Sequence, residues 1–533
     1  MTTDRTPARA TSHGLVFLFA GLMLTMLLAS LNQTALNPAL PTIVGELHGA
    51  DLMLWVITAY ILTSTITMPA YGKLGDLFGR KPLLLSAIGI FLVGSIVSGT
   101  AGDITWLIIG RAIQGAGGGL MILSQAAIAD VVPARERGRY LGVMSGVFAL
   151  SSVAGPLLGG WFTEGPGWRW VFWITVPLSV LAATAAIVFL RLPARAGPRS
   201  SIDVAGMTVL SVATTGIVLV GTWGGTTYAW TSPMILCLIA GTAVATILFG
   251  YVEYRAAEPV LPLHLFRDRN FDLITLAGLL VSVALFGVAG YMPTYLQMAT
   301  GVDATVAGLL MLPMMGSLFL TSTLAGRVVT KTGRYKAIPI IGSALIAIGL
   351  VLLSQLTVTT PTWVLGCFIA VIGVGLGLTG QLMMLVVQNS FPIEEVGTAT
   401  AAGNYFRQIG ATLGAAVVGS VFAGRAATLI AERAPATVVA ESLTPEAVRN
   451  LPDAARLPVV EAYNDALTPI FLWISPLALV AMMLLCFVVE KPLATTIERR
   501  KELPVGATTI STRPVAALPR STATYPAATA ATE

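Results

Sequence analysis

Polar side chains crowd the end of an apolar run. In "LASLNQTALNPALP" (28–41), Asn32, Gln33, Thr34 and Asn37 follow an uncharged stretch from Gly14 to Leu31, and Pro38 and Pro41 come next. An amide taken out of water needs a partner, and leaving it without one costs about 1–3 kcal/mol. An amide also carries no exchangeable proton near neutral pH. Arg111, in "RAIQGAGGG" (111–119), is a charge deep in another apolar run, and Arg407 is a second. A charge at such depth is costly, faces the interior of a helix bundle and marks a functional position. Gln114 lies one turn from Arg111 on the same side, and Gly115 and Gly119 form a small-xxx-small pair for close helix contact. In "GKLGDLFGRK" (72–81), Gly72 and Gly79 permit a tight turn that carries Asp76 and Arg80. No Asp or Glu lies near the middle of any apolar run; Asp203, Glu253 and Asp272 sit near ends, and Asp272 is the best remaining carboxylate for proton binding.

The elements that must position these groups follow from composition. Hydrophobic residues make up 55% of the 533-residue chain and charged residues 11%, against about 25% charged in a soluble domain. This is an integral membrane protein. Its apolar runs are helix-length, about 20 residues each, rather than the ~10-residue alternating segments of a barrel. Fourteen spans are expected: 14–37, 51–71, 82–101, 104–127, 139–162, 169–190, 204–222, 232–252, 271–297, 305–326, 337–356, 361–388, 398–424 and 468–489. Lys73, Arg80, Lys81, Arg135, Arg137, Arg139, Arg327 and Lys331 then fall in alternate loops on one side, which the positive-inside rule makes cytoplasmic, with both termini. The net charge of +5 thus follows from topology and does not call for nucleic acid. The first run is a retained span, not a removed signal peptide. Cys237, Cys367 and Cys486 read as buried small hydrophobes rather than a disulfide framework. The segments 1–13 and 490–533 read as cytoplasmic tails, the latter disordered, and 425–467 as a long external loop with a helix start at Thr444 and a second near Pro458.

An internal echo links "GKLGDLFGRK" with "GRVVTKTGRYK" (326–336), which suggests two related halves. Spans 7 and 8 (204–252) are then an inserted pair between six-helix bundles at 14–190 and 271–489.

At this point the residues resemble a known family. "GKLGDLFGRK" is similar to the signature loop of the major facilitator superfamily, and "RAIQGAGGG" to the second signature of its drug antiporters. Gly138, Gly142 and Gly146 followed by "AGPLLGG" (154–160) resemble the glycine-proline signature of its exporters, with Ser151 where the pattern has glycine. There Gly155 permits tight packing and Pro156 a kink. "WRWVFWITVP", "IDVAG", "PTYLQ" and "NYFRQIGATLG" resemble the fourteen-span drug/proton antiporter branch, which often has Asn where Thr175 stands.

The resemblance implies an all-α membrane fold of two six-helix bundles plus two inserted helices, and a multidrug-type secondary exporter of amphipathic or lipid small molecules. It implies alternating access in the cell (inner) membrane, protons as coupling partner, and no enzyme activity, metal or cofactor. Asp76 and Arg80 would latch one face shut, by pairing with each other or with neighbouring helix ends. The cavity residues would be Asn32, Gln33, Asn37, Tyr60, Gln114, Tyr291, Gln297, Gln388 and Asn404, and Arg111, Asp272 and Arg407 would serve coupling. The branch commonly has aspartate at the Asn32 position, which opens the alternative of a proton-independent facilitator or lipid flippase. A non-transporting membrane receptor or assembly factor is the rival of another class.

Overall fold

The structure is a computed structural model that describes residues 12–49, 52–190, 203–225, 227–300, 302, 304–434, 447–448 and 451–495. Among the described residues it is all-helical, with thirteen helices long and apolar enough to cross a membrane. They are α1 (Phe17–Glu46), α2 (Met53–Phe78), α3 (Arg80–Gly99), α4 (Ile104–Val131), α5 (Ala134–Glu164), α6 (Trp170–Phe189), α7 (Val204–Trp223), α8 (Pro233–Arg255), α9 (Arg269–Met298), α10 (Val306–Thr332), α12 (Thr362–Ser390), α13 (Val396–Arg433) and α14 (Ala455–Cys486). The expected eleventh span is the shorter apolar helix α11 (Ala337–Leu353). At ~1.5 Å per residue it is about 26 Å long, slightly less than a ~30 Å hydrocarbon core.

Several helices overrun their expected ends. Helix α1 continues to Glu46 through Pro38 and Pro41. Proline removes one intrahelical bond, but close packing holds the chain on course: Gly159 of α5 lies directly against Ala35 and Pro38. Helix α2 runs to Phe78, so Gly72 and Asp76 are helical rather than in a loop, and the turn shrinks to Gly79 at φ +92°. Gly72 instead lets α13 approach, since a Cβ there would meet Gly397 and Ala401. Helix α13 reaches Arg433, and the helix leading into α14 begins at Asp453 and runs through Pro458 and Pro469. Much of the expected loop 425–467 is therefore helix. Thr444, and the tail beyond residue 495, lie outside the described residues. Cys237, Cys367 and Cys486 are free and exposed, not buried; on apolar helices they sit where lipid is the neighbour.

Helix α1 packs on α5 and α6, and α4 on α2 and α3; in the later part of the chain α9 packs on α13, and α12 on α10 and α11. Beside smaller contacts of α12 on α5 and of α13 on α4, two extensive crossings join the earlier helices to the later ones, α5 with α10 and α2 with α13. Small residues line both. Gly142 of α5 faces the Ser322 backbone, Gly138 faces Gly326, and Ser145 bonds Ser322 at 2.9 Å. Helix α8 packs on α7, and α7 in turn touches α2 and α13. The tie from α7 to α13 includes a 2.8 Å bond between Thr214 and Tyr405.

The ends of α2, α5 and α10 that carry Lys73, Arg135 and Lys331 define a basic face. Helix α11 leads away from the Lys331 end, so Thr359, in the exposed turn between α11 and α12, belongs to the opposite face. In a cysteine-free background, Thr359→Cys should react with an impermeant maleimide in intact cells, and Lys331→Cys only after permeabilisation. The reverse pattern would refute the helix order relative to the membrane.

Candidate functional site

Arg111 is 1% exposed and holds a polar cluster inside the earlier helices. Its Nη1 donates to Asn32 Oδ1 of α1 at 2.5 Å and to Gln114 Oε1 at 2.9 Å, and its Nε donates to the Val56 carbonyl of α2 at 3.2 Å. The guanidinium lies 4.3 Å over the Tyr60 ring. Gln114 Nε2 passes the network to Ser95 Oγ of α3 at 2.8 Å, and Thr175 of α6 joins at Ser95 at 2.9 Å. One cation thus ties five helices together through neutral groups. The bend of α4 next to it has a local cause: helical geometry breaks between Ala116 and Leu120. There Gly117, Gly118 and Gly119 admit the α3 backbone, Ser64 and the Tyr71 ring, and the Tyr71 hydroxyl caps the Ala116 carbonyl at 2.9 Å.

A second polar cluster spans the earlier and later helices. Asn404 of α13 donates to Gln125 Oε1 of α4 at 2.9 Å, and Gln388 of α12 donates to Thr400 Oγ1 at 3.3 Å. Gln125 Nε2 and Gln388 Oε1 are buried without a partner among the described residues. Arg407 stands one turn along α13 from Asn404, half-buried, with Nη1 likewise unpartnered.

The third cluster closes the basic face. Asp76 accepts from the Gly397 amide at 3.2 Å, from the Thr398 amide at 2.6 Å and from Thr398 Oγ1 at 2.8 Å. These are the free N–H groups of the first turn of α13, where the helix dipole also favours an anion. Arg80, 2% exposed, pairs with Asp76 at 3.2 Å and with Asp130 of α4 at 3.0 Å. It also donates to the Ala126 carbonyl, and to the Ile393 carbonyl at 3.5 Å. A converse contact lies at the other crossing: Arg135, at the start of α5, donates to the Thr330 and Lys331 carbonyls, both at 3.2 Å, where α10 ends. Here a cation meets free carbonyls at a helix C-terminus.

The structure thus joins Asn32, Tyr60, Gln114 and Arg111 in one cluster, Gln388 and Asn404 in another, and Asp76 and Arg80 in the third. Asn32 and Gln114 are 0% exposed, so they brace the helices here instead of facing an open cavity. Gln33 and Asn37 are exposed, one turn apart on α1. Tyr291 donates to the Ala415 carbonyl at 3.0 Å, and Gln297 to the Pro293 carbonyl at 3.2 Å. Gly155 packs on Thr34, and Pro156 lies inside α5. Asp272 is exposed in the first turn of α9, after the Asp268 cap, and belongs to none of the clusters. Gln125, Asp130, Ser95 and Thr398 were not singled out by sequence reasoning. Asp130, a carboxylate just before the basic turn at 133–139, was the one with a visible signal.

Comparison with known proteins places this geometry in a family. Residues 22–415 match the Major Facilitator Superfamily. The chain is 40% identical over 484 residues to an uncharacterized MFS-type transporter of Mycobacterium tuberculosis (strain H37Rv), covering 89% of this chain and 70% of that one. It is 37% identical over 417 residues to the multidrug transporter protein MdtP of Bacillus subtilis, covering 78% and 77%. It is 32% identical over 422 residues to the efflux pump FUS6 of Gibberella fujikuroi, covering 76% and 74%. The crystal structure of the human organic anion transporter MFSD10 superposes with a TM-score of 0.61 at 15% identity, over 88% of this chain and 99% of that one, a likeness of fold alone. The chain belongs to the major facilitator superfamily and is a multi-pass membrane transporter, with multidrug and efflux transporters among its relatives.

Proposed function

We propose that this transporter exports amphipathic or lipidic small molecules by alternating access. The two bundles would be residues 14–190 and 271–489, with 204–252 inserted between them. The basic face would be cytoplasmic, with both termini, in a bacterial-type inner membrane. The observation that carries the reading is the helix-end latch. Asp76 bonded to α13, with Arg135 bonded to α10, holds the earlier and later helices together at one face. Glycine-lined crossings beside both latches supply surfaces that can slide without unpacking large side chains. The names of the relatives MdtP and FUS6 support the export direction and the broad substrate class.

Proton linkage through α1 is not supported by the Arg111 cluster. Asn32 accepts from Arg111 as a carboxylate would, but carries no proton to exchange. This favours transport that depends weakly on the proton gradient.

The latch has a direct test. Asp76→Asn removes the charge from charge-assisted bonds that are each worth about 1.5–3 kcal/mol. A loss of ~2 kcal/mol would cut the population closed at the basic face ~30-fold relative to the open state. Flux into proteoliposomes should fall about fivefold or more, with the amount of folded protein unchanged. Full flux would refute the latch.

The cluster has two tests. Arg111→Lys keeps the charge but loses the planar fork that reaches Asn32, Gln114 and Val56 at once. Flux should fall at least ~10-fold, since one such bond is worth about 1.4 kcal/mol or more. A wild-type rate would reduce the role of Arg111 to charge alone. Asn32→Asp should make flux respond steeply to an imposed pH difference, where the wild type responds weakly. Steep coupling already present in the wild type would overturn the reading of Asn32.

A further inference from the structure

Among the described residues, the middle of the membrane holds positive charge and no carboxylate to match it. The carboxylates of the membrane helices stand towards their ends, Glu46, Asp76, Asp130, Glu253 and Asp272 among them. Arg111 is surrounded by neutral partners. Arg407 lies about 16 Å along α13 from its basic end at Val396, at ~1.5 Å per residue, which is near the midplane of a ~30 Å core.

Arg407 is the less satisfied of the two. A Cβ added at Gly278 of α9 would lie 3.3 Å from Arg407 Cγ and 3.9 Å from Met383 Sδ of α12, so its stem runs between those helices. Its Nη1 is buried with no hydrogen-bond partner among the described residues. It shares a helix side with Asn404, which faces α4 across the boundary between the earlier and later helices. Gln125 Nε2 and Gln388 Oε1, also unpartnered, belong to that same boundary. A guanidinium at this depth without a counter-ion is destabilising, and a planar donor fork is the group that fits carboxylate, sulfonate or phosphate oxygens.

We infer that the solute brings the missing charge: the substrate is an amphipathic anion, and Arg407 is its counter-charge at the central site. The inference rests on the export reading and supplies its driving force. An inside-negative potential drives an anion outward, so export needs no proton carrier. The amide at Asn32 is then sufficient.

The test uses the full chain in proteoliposomes with a potassium-diffusion potential set by valinomycin. The probes are taurocholate, ethidium, and NBD-labelled phosphatidylglycerol and phosphatidylcholine. The expected result is potential-driven movement of taurocholate or of NBD-phosphatidylglycerol, at least ~10-fold faster than ethidium or NBD-phosphatidylcholine. Taurocholate movement identifies a soluble organic anion, and movement of the glycerol lipid alone an anionic lipid. Arg407→Gln should lower anion flux about tenfold and raise the cation-to-anion ratio, and Arg407→Lys should stay within about threefold of wild type; tenfold corresponds to ~1.4 kcal/mol. If Arg407→Gln does not fold, Met383→Glu supplies a carboxylate beside the guanidinium and should suppress anion flux to the same extent. Movement of ethidium or NBD-phosphatidylcholine without either anion leaves the transporter reading intact and overturns the anion inference. Movement of none of the probes overturns both. Anion flux unchanged in folded Arg407→Gln or in Met383→Glu also overturns it.

Discussion

The closed face depends on one carboxylate placed at the start of one helix. A helix leaves its first N–H groups without internal partners, and in a membrane protein those groups cannot all be left to water. Asp76 satisfies two of them on α13, along with the Thr398 hydroxyl. It reaches them only because Gly72, one turn back on α2, brings the α13 backbone close. Arg80 holds the carboxylate from behind and pairs with Asp130 as well, so Asp76 sits among paired charges rather than as one stray anion. The same logic runs in reverse at α5 and α10: Arg135 addresses free carbonyls, and Gly138 and Gly326 supply the close approach. The repeat visible in the chain therefore has a physical meaning, with the two crossings closed by charges of opposite sign at opposite helix ends.

How much of this could be read beforehand follows from what each signal depends on. Span order is legible because a run of apolar residues is a local property, and alternate basic loops confirm it without any contact information. Ends are less legible. Pro38 and Pro41 fall beyond the expected end of the first span and Pro458 reads as a helix start, yet all three lie inside helices. In a membrane the alternative to a helix is exposed backbone, and a neighbour such as Gly159 can hold a kinked helix in line. The pairing of Arg111 with Gln114 could be read because it is an i, i+3 relation. Its bond to Asn32 could be suspected only from resemblance, and its link through Ser95 to Thr175 had no local signal at all. Gly72 shows the same limit: glycine in a loop and glycine at a helix crossing look alike until the partner helix is known.

The polar residues at mid-depth divide by how completely they are satisfied. Around Arg111 the donors Arg111 Nε, Arg111 Nη1 and Gln114 Nε2 all reach acceptors on neighbouring helices, with Asn32 Nδ2 left over, and the cluster ties together α1, α2, α3, α4 and α6. Across the boundary the bonds are fewer, and atoms of Gln125, Gln388 and Arg407 are left over. A transporter needs this asymmetry. Groups within one bundle must stay paired through the cycle, since breaking them in hydrocarbon would cost more than the motion can recover. Groups between bundles must lose partners when the face opens, so their bonds have to be ones that water or a solute can replace. On the proposed cycle, the latch meets that requirement at the basic face, where water would take over Asp76 when α13 withdraws. On the same reading Arg407 sets it more sharply, because at mid-membrane only a group carried by the solute would replace what the protein does not provide.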